Sequence, residues 1–377
     1  MRRPLWMAGF LVALPTLLLA QNSAYAVLGV GFPNPPFSIV ARSLGGGIAT
    51  VDPQSSLNPG AVALINALSV QGASLQEFRR YTIGGTDVTG LSQTRFPYGG
   101  LAGRFGAKRV SYAVGFSEYA ERTFDITTSD TITLRGVPVP VSDHSGSAGA
   151  VVDLRAALAW AASPRLGFGV AGHLLGGSAK RFTLRQFTDS TYRAFSDTVD
   201  EKFSGAGISA GVVATPVRGL RLGASARIDS RLTRKVSSRD VGSIGLPATL
   251  AAGFELRPDS AFRFAGSMTW RSWSHVAADV AASGVRAFDT WETGWGIELG
   301  GARGGPRLPI RLGFRYARLP FSPAADQPRE MDLSLGTGVS LSGGRAKLDF
   351  NLERAIRDGG GASERAWQMA LGFQIRP

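Results

Sequence analysis

Residues 346–353 read Ala-Lys-Leu-Asp-Phe-Asn-Leu-Glu, so that apolar and polar side chains change places at every position. Successive side chains of an extended strand point to opposite faces. Leu348, Phe350 and Leu352 therefore share one face, and Lys347, Asp349, Asn351 and Glu353 share the other. A helix would scatter both sets around its axis. The same division recurs in 151–160, 219–229, 261–271, 309–318, 330–341 and 365–376. In 309–318, for example, Ile310, Leu312, Phe314 and Tyr316 oppose Arg311 and Arg315. Each segment has about the 9–11 residues that a tilted strand needs to cross a bilayer.

The N-terminus decides what the apolar faces meet. Arg2 and Arg3 form a basic start, Leu5 to Ala20 an apolar stretch, and Ala24-Tyr25-Ala26 a small-x-small cleavage site. A secretory signal is expected over 1–26, with the mature chain starting at Val27. Beyond it no run approaches the roughly 20 apolar residues of a spanning helix, and the mean hydropathy is only +0.04. A transmembrane β-barrel has this profile, because half of each strand faces an aqueous lumen. A large soluble sandwich or propeller is the competing architecture.

The gaps between the alternating segments favour the barrel. Short turn-like connections stand at 106–108, 162–164, 215–218, 258–260, 304–306 and 342–344, rich in Gly, Pro, Asp and Ser. Longer polar stretches lie near 80–94, 120–146, 180–202, 231–242, 275–287, 319–329 and 357–364. Short periplasmic turns and longer extracellular loops are the asymmetry of outer-membrane barrels. Six short and seven long connections give fourteen strands. Lipid offers no partner to an open edge, so the first strand, near 67–79, has to pair with the last, near 365–376. Tyr98, Trp160, Trp270, Trp291, Trp295 and Trp367 fit interfacial girdles.

Residues 27–64 break the pattern. Phe32-Pro33-Asn34-Pro35-Pro36 cannot sit inside a sheet. Gly45-Gly46-Gly47, Asp52 and the turn at Asn58-Pro59-Gly60 follow. This segment is expected to fold into the barrel as a plug, ahead of the barrel proper over 65–377. The stretch Ala41-Arg42-Ser43-Leu44-Gly45-Gly46-Gly47-Ile48-Ala49, followed by Asp52 and Asn58-Pro59, resembles the N-terminal signature of FadL/TodX-type outer-membrane transporters. There an Asn-Pro-Ala box follows a Gly/Ala-rich stretch; Gly60 stands here in place of the Ala. The resemblance implies a fourteen-stranded barrel and an N-terminal hatch. It also implies uptake of long-chain fatty acids or other hydrophobic molecules, with release sideways through the wall. The plug motif then comprises Arg42, Gly45, Gly46, Gly47, Asp52, Asn58 and Pro59. PorV-like barrels of protein secretion share much of this pattern, and a general porin is a third reading.

Candidate chemistry is sparse. The absence of cysteine removes disulfides, thiol catalysis and thiolate metal sites. His144 has serines one and three positions away, on the opposite face of a strand, so no base and nucleophile pair along it. His173 falls among lumen-facing positions and His275 near an outer rim, with no metal-ligand spacing. Neither an enzyme, a metal nor a cofactor is expected. The net charge of +13 is carried by dispersed arginines without any nucleic-acid module. It suits a positive lumen and basic loops facing anionic lipopolysaccharide. The expected partners are outer-membrane lipid and a hydrophobic ligand, and the expected state is a monomer. The lumen-facing polar candidates are Asp153, Arg155, Arg221, Arg227, Asp229, Arg263, Arg271, Arg311, Arg315, Lys347, Asp349 and Glu353. One of these arginines can hold a carboxylate headgroup through a forked pair of hydrogen bonds. Phe32, Phe37, Leu319, Phe321 and 137–141 are candidates for contact with an apolar ligand.

Overall fold

The computed structural model describes residues 23–106, 109–281, 283–300 and 308–376. The body of the expected signal and the turns at 107–108 and 304–306 lie outside the described residues. After a short 3-10 turn at Ala24–Val27, the N-terminal segment runs through β1 (Phe32–Pro33), α1 (Ile39–Ser43) and a second 3-10 turn at Pro59–Leu64. The wall then begins with β2 (Ser69–Ile83), β3 (Thr86–Arg95), β4 (Tyr98–Arg104) and β5 (Val110–Glu121). It continues through β6 (Phe124–Leu134), β7 (Val137–Ser163), β8 (Leu166–Phe187), β9 (Phe195–Val217) and β10 (Leu220–Asp229). The hairpin β11 (Leu232–Val236) and β12 (Arg239–Ile244) precedes β13 (Thr249–Leu256) and β14 (Phe262–Arg271). A 3-10 turn at Trp273–Val276, α2 (Ala277–Ala281) and β15 (Arg286–Ala287) lead to β16 (Thr290–Leu299) and β17 (Ile310–Arg318). The chain closes with β18 (Phe321–Ser322), β19 (Arg329–Leu341), β20 (Ala346–Gly359) and β21 (Ala362–Ile375).

The wall strands pair antiparallel, and β21 returns to β2 over Val70↔Ile375 to Ile83↔Ala362. The result is a closed barrel of fourteen staves, β3 and β4 together forming the second. Closure leaves no edge for lipid to meet except where β3 and β5 part, beside Pro97. Burial follows the sequence alternation. Leu333, Leu335, Leu312 and Phe350 are exposed on the outer face, while Asp332, Arg311, Asp349 and Asn351 are buried on the inner one. Trp160, Trp291, Trp295 and Trp367 also face outward. Tyr98 does not. Its ring is buried, and its hydroxyl oxygen accepts the Ile39 amide at 3.2 Å, because this end of β4 meets the N-terminal segment from within.

The long stretches at 120–146 and 180–202 are β-structure rather than loops. Strand β7 has 27 residues, roughly 90 Å of extended chain at ~3.3 Å per residue, far more than a bilayer needs. Strands β6, β7, β8 and β9 continue the wall past any membrane as a four-stranded extension. Most side chains of this extension are exposed or half-buried, Val139 and Val141 being buried exceptions, so its sequence carries little of the alternation seen in the staves. The stretches 80–94 and 231–242 are likewise hairpins.

The N-terminal segment lies against the inner face of the wall. Val40, Ala41, Leu44, Ile48, Ala49 and Val51 form one apolar cluster with Ala265 and Val213 of the wall. The wall makes room by presenting glycine. A Cβ at Gly313 would stand 2.2 Å from the Gly45 nitrogen, at Gly294 2.1 Å from the Gly45 oxygen, and at Gly223 2.3 Å from the Thr50 oxygen. Gly336, Gly211 and Gly169 are filled in the same way by Ser43, Asn58 and Pro59.

Candidate functional site

The turn at Asn58-Pro59 is held from within. The Asn58 carboxamide oxygen accepts the Gly60 amide at 2.8 Å, and its nitrogen donates to the carbonyls of Thr50 at 2.6 Å and Val212 at 3.0 Å. Asp52 accepts from Ser38 at 2.5 Å and Ser55 at 2.7 Å, tying the start of α1 to the turn after it. Burial pushes the Asp52 carboxyl above the ordinary carboxylate range, against the pull of those two hydroxyls. Arg42 reaches the wall, donating to Gln368 at 2.6 Å and Glu353 at 3.1 Å. Gly45 and Gly46 have φ of +60° and +84°, and both are pressed by neighbouring atoms, so no side chain fits.

The sequence-derived lumen residues lie inside and form ion pairs. Arg227 meets Asp153 at 2.6 Å and Asp229 at 2.9 Å. Arg271 and Arg315 share Glu292, at 2.9 and 3.0 Å, and Arg315 also pairs with Asp332. Towards the short-turn end, Arg221 and Arg263 share Glu255, and Arg311 bridges Glu298 and Asp349. Lys347 completes that group on Asp349 at 3.1 Å. Arg155 differs, since its Nε and Nη2 have no hydrogen-bond partner although the residue is buried. The sequence reading missed a second network. Arg79 and Arg95 both bind Glu77, at 2.6 and 2.7 Å, and both bind Glu121; Arg357 binds Glu330 and Glu364. Glu77 and Arg79 alternate with Phe78, but Glu364 stands between Ser363 and Arg365, and all these pairings depend on register across strands. Among the described residues no cluster of His, Asp or Glu could hold a metal ion.

Two features of the interior stand out. The first is a cavity between the N-terminal segment and the long-loop end of the barrel, with about 970 Å³ of empty space including its part open to solvent. Val30, Pro35, Leu57, Tyr119, Trp273 and Leu319 give it apolar walls. Ser209, Ser225, Arg227, Arg271 and Thr290 add polar groups. Three of its lining groups, Arg227 Nη2, Trp273 Nε1 and Thr290 Oγ1, are buried without hydrogen-bond partners. The turn Trp273–Val276 and α2 cap this end, with Trp273, Val276 and Val280 packed on Leu246, Val285 and Phe321. Of the expected apolar contacts only Leu319 lines the cavity. Phe32 lies under the Arg357 guanidinium, Phe37 joins the cluster around Leu44, Phe321 stands behind Trp273, and 137–141 belongs to the outer hairpin.

The second feature is a break in the wall. Strand β4 pairs with β5 from Tyr98↔Ser117 downward, and the last bond above it runs from the Glu118 amide to the Pro97 carbonyl. Beyond Pro97, β3 pairs with β2 but, among the described residues, has no ladder with β5 or β6. The vacated edge of β5 is taken from inside by β1, with Phe32↔Glu121 and Pro33↔Ala120. Pro97 has no amide hydrogen to continue a ladder. The Arg95 ion pairs with Glu118 and Glu121 span the gap on the lumen side.

No protein-family model matches the chain, and no curated protein matches it in sequence. Solved structures do. The toluene transporter TbuX of Ralstonia pickettii superposes with a TM-score of 0.63 at 16% identity, covering 91% of this chain and 98% of the other. A Pseudomonas aeruginosa FadL homologue gives 0.59 at 12% identity, covering 92% and 99%. The monoaromatic hydrocarbon channel CymD gives 0.58 at 15%, covering 93% and 99%. The chain has the FadL-type barrel fold. Two of these neighbours are named for hydrophobic compounds, TbuX as a toluene transporter and CymD as a monoaromatic hydrocarbon channel.

Proposed function

We propose that this FadL-type barrel is an outer-membrane channel for passive uptake of hydrophobic small molecules, with residues 27–64 as its plug. The observation that carries the reading is the cavity with apolar walls between that segment and the capping loop, inside a barrel whose wall is interrupted beside it. A ligand enters at the long-loop end, rests in the cavity and leaves sideways between β3 and β5 when the Arg95 ion pairs part. An apolar solute gains by leaving water at every stage, so the gradient alone drives passage.

Within this class, long-chain fatty acids fit the cavity better than plain hydrocarbons. Arg227 Nη2, Trp273 Nε1 and Thr290 Oγ1 can all donate, and an unmet buried donor costs about 1–3 kcal/mol. A ligand bearing a carboxylate satisfies them; toluene does not. The test is uptake of radiolabelled oleate and toluene by cells making the protein or its Trp273→Phe/Thr290→Val variant. Expression should raise uptake of both, and the variant should weaken half-saturation for oleate by about thirtyfold, at about 1 kcal/mol for each of the two lost bonds. Uptake equal to that of cells without the barrel would refute the channel reading. An unchanged oleate response in the variant would refute the fatty-acid preference.

A further inference from the structure

One group in the cavity wall has a geometry that passage does not require. His173 Nδ1 lies 2.9 and 3.0 Å from the two carboxylate oxygens of Asp153, and its Nε2 lies 2.8 Å from Ser209 Oγ. The three residues come from adjacent strands. Arg155 of β7 stands opposite His173 of β8, which stands opposite Gly207 of β9; Asp153 and Ser209 are each two positions along on the same inner face. At Gly207 the place of a side chain is taken by the Asp229 carboxylate, 1.8 Å from where a Cβ would stand. Asp153 and His173 are 2% exposed and Ser209 6%, and both Asp153 and Ser209 line the cavity.

The protonation pattern follows from the partners. An ionised carboxylate only accepts, so Nδ1 carries the ring proton towards Asp153. In the neutral ring Nε2 is then the acceptor, and the Ser209 hydroxyl donates to it. This is the arrangement that makes serine a nucleophile: a base within hydrogen-bond reach, oriented by a third group. An acyl-transfer site also needs a donor for the developing oxyanion. Arg227 lies directly across the ladder from Ser209, lines the same cavity, and keeps its Nη2 unpartnered while its other nitrogens hold Asp153 and Asp229. Charge around the imidazole is balanced, with Asp153 and Asp229 set against Arg227 and Arg155.

We propose that Ser209, His173 and Asp153 form a hydrolytic triad in the lumen, acting on carboxylic esters with a hydrophobic acyl chain. Ser209 Oγ bonds to the ester carbonyl carbon and its proton passes to His173 Nε2. The carbonyl oxygen, now negative, faces Arg227 Nη2. The C–O bond to the alcohol breaks, and the alcohol leaves with the proton from Nε2. Water then attacks the acyl-serine, gives one proton to Nε2, and releases the acid while Ser209 regains its hydrogen. Ester and water become acid and alcohol, with no further reactant. Ser209 and His173 are catalytic residues, and Asp153 is a positioning residue. The site shares the cavity with the passage reading but stands or falls separately, since a channel needs no covalent intermediate.

The experiment uses the full folded barrel in detergent and an alkyl fluorophosphonate, which leaves a phosphonyl group on an activated serine as fluoride departs. Intact-mass and peptide analysis should find one adduct, on Ser209. It should be absent in Ser209→Ala and formed at least 100-fold more slowly in His173→Ala, with heat-modifiable gel migration showing that both barrels are folded. Hydrolysis of p-nitrophenyl octanoate should fall about 10³-fold or more in both variants. Asp153→Asn should lower hydrolysis and change its pH profile. A folded wild-type barrel that takes up no adduct, an adduct that persists in Ser209→Ala, or hydrolysis equal in wild type and Ser209→Ala would overturn the proposal.

Discussion

At the scale of single residues, the inner wall works by subtraction. Where 43–60 presses closest, the inward positions of the staves are Gly313, Gly294, Gly223, Gly211 and Gly336, and a Cβ at any of them meets atoms of that segment. At Gly313 those atoms are backbone, which cannot swing aside. Gly313→Ala should therefore displace the segment around Gly45 and destabilise the protein by about 1–3 kcal/mol. The buried Arg42 bond should open to trypsin. Gly172→Ala, on the same barrel, meets nothing within 4 Å and should be silent in both assays. Charge works by pairing. Arg357 is buried against Glu330 and Glu364, and removing one partner strands the others. Arg357→Met should lower stability in urea by about 3–5 kcal/mol. A loss below 1 kcal/mol would mean that water reaches these carboxylates.

At the scale of elements, lipid made the staves legible and its absence hid the rest. Residues 309–318 and 346–353 alternate because one face is apolar and turned outward and the other faces the lumen, so their faces could be assigned from sequence. Residues 124–134, 137–147, 180–187 and 195–200 are equally extended, but most of their side chains are exposed or half-buried, and they read as loops. Tyr98 misled for a related reason: an aromatic at a strand end looks interfacial unless the element packed behind it is known. In the N-terminal segment, Arg42, Gly45, Asp52 and Asn58 were recognisable as a motif, yet their partners Glu353, Phe314, Ser38 and Val212 were not. If the segment is a plug, a chain lacking 27–64 should conduct ions steadily in a planar bilayer while the intact chain stays nearly silent. Equal conductance from both would mean that the lumen is open around the segment.

At the scale of the whole molecule, fourteen staves could be counted because turns and alternating runs succeed one another along the chain. The cavity could not, since Val30, Tyr119, Ser209 and Trp273 are distant in sequence and meet only once the barrel closes. The break in the wall is similarly a property of register: Pro97 marks the place, but the missing ladder appears only when β3, β4 and β5 are set side by side. The most direct test of the central claim, a closed barrel holding a hydrophobic ligand in that cavity, is native mass spectrometry of the purified protein saturated with oleate and, separately, toluene. One ligand should bind per barrel and be lost when Leu57→Asp places a charge in the apolar wall. A spectrum that stays ligand-free at saturation, or binding indifferent to Leu57→Asp, would contradict it.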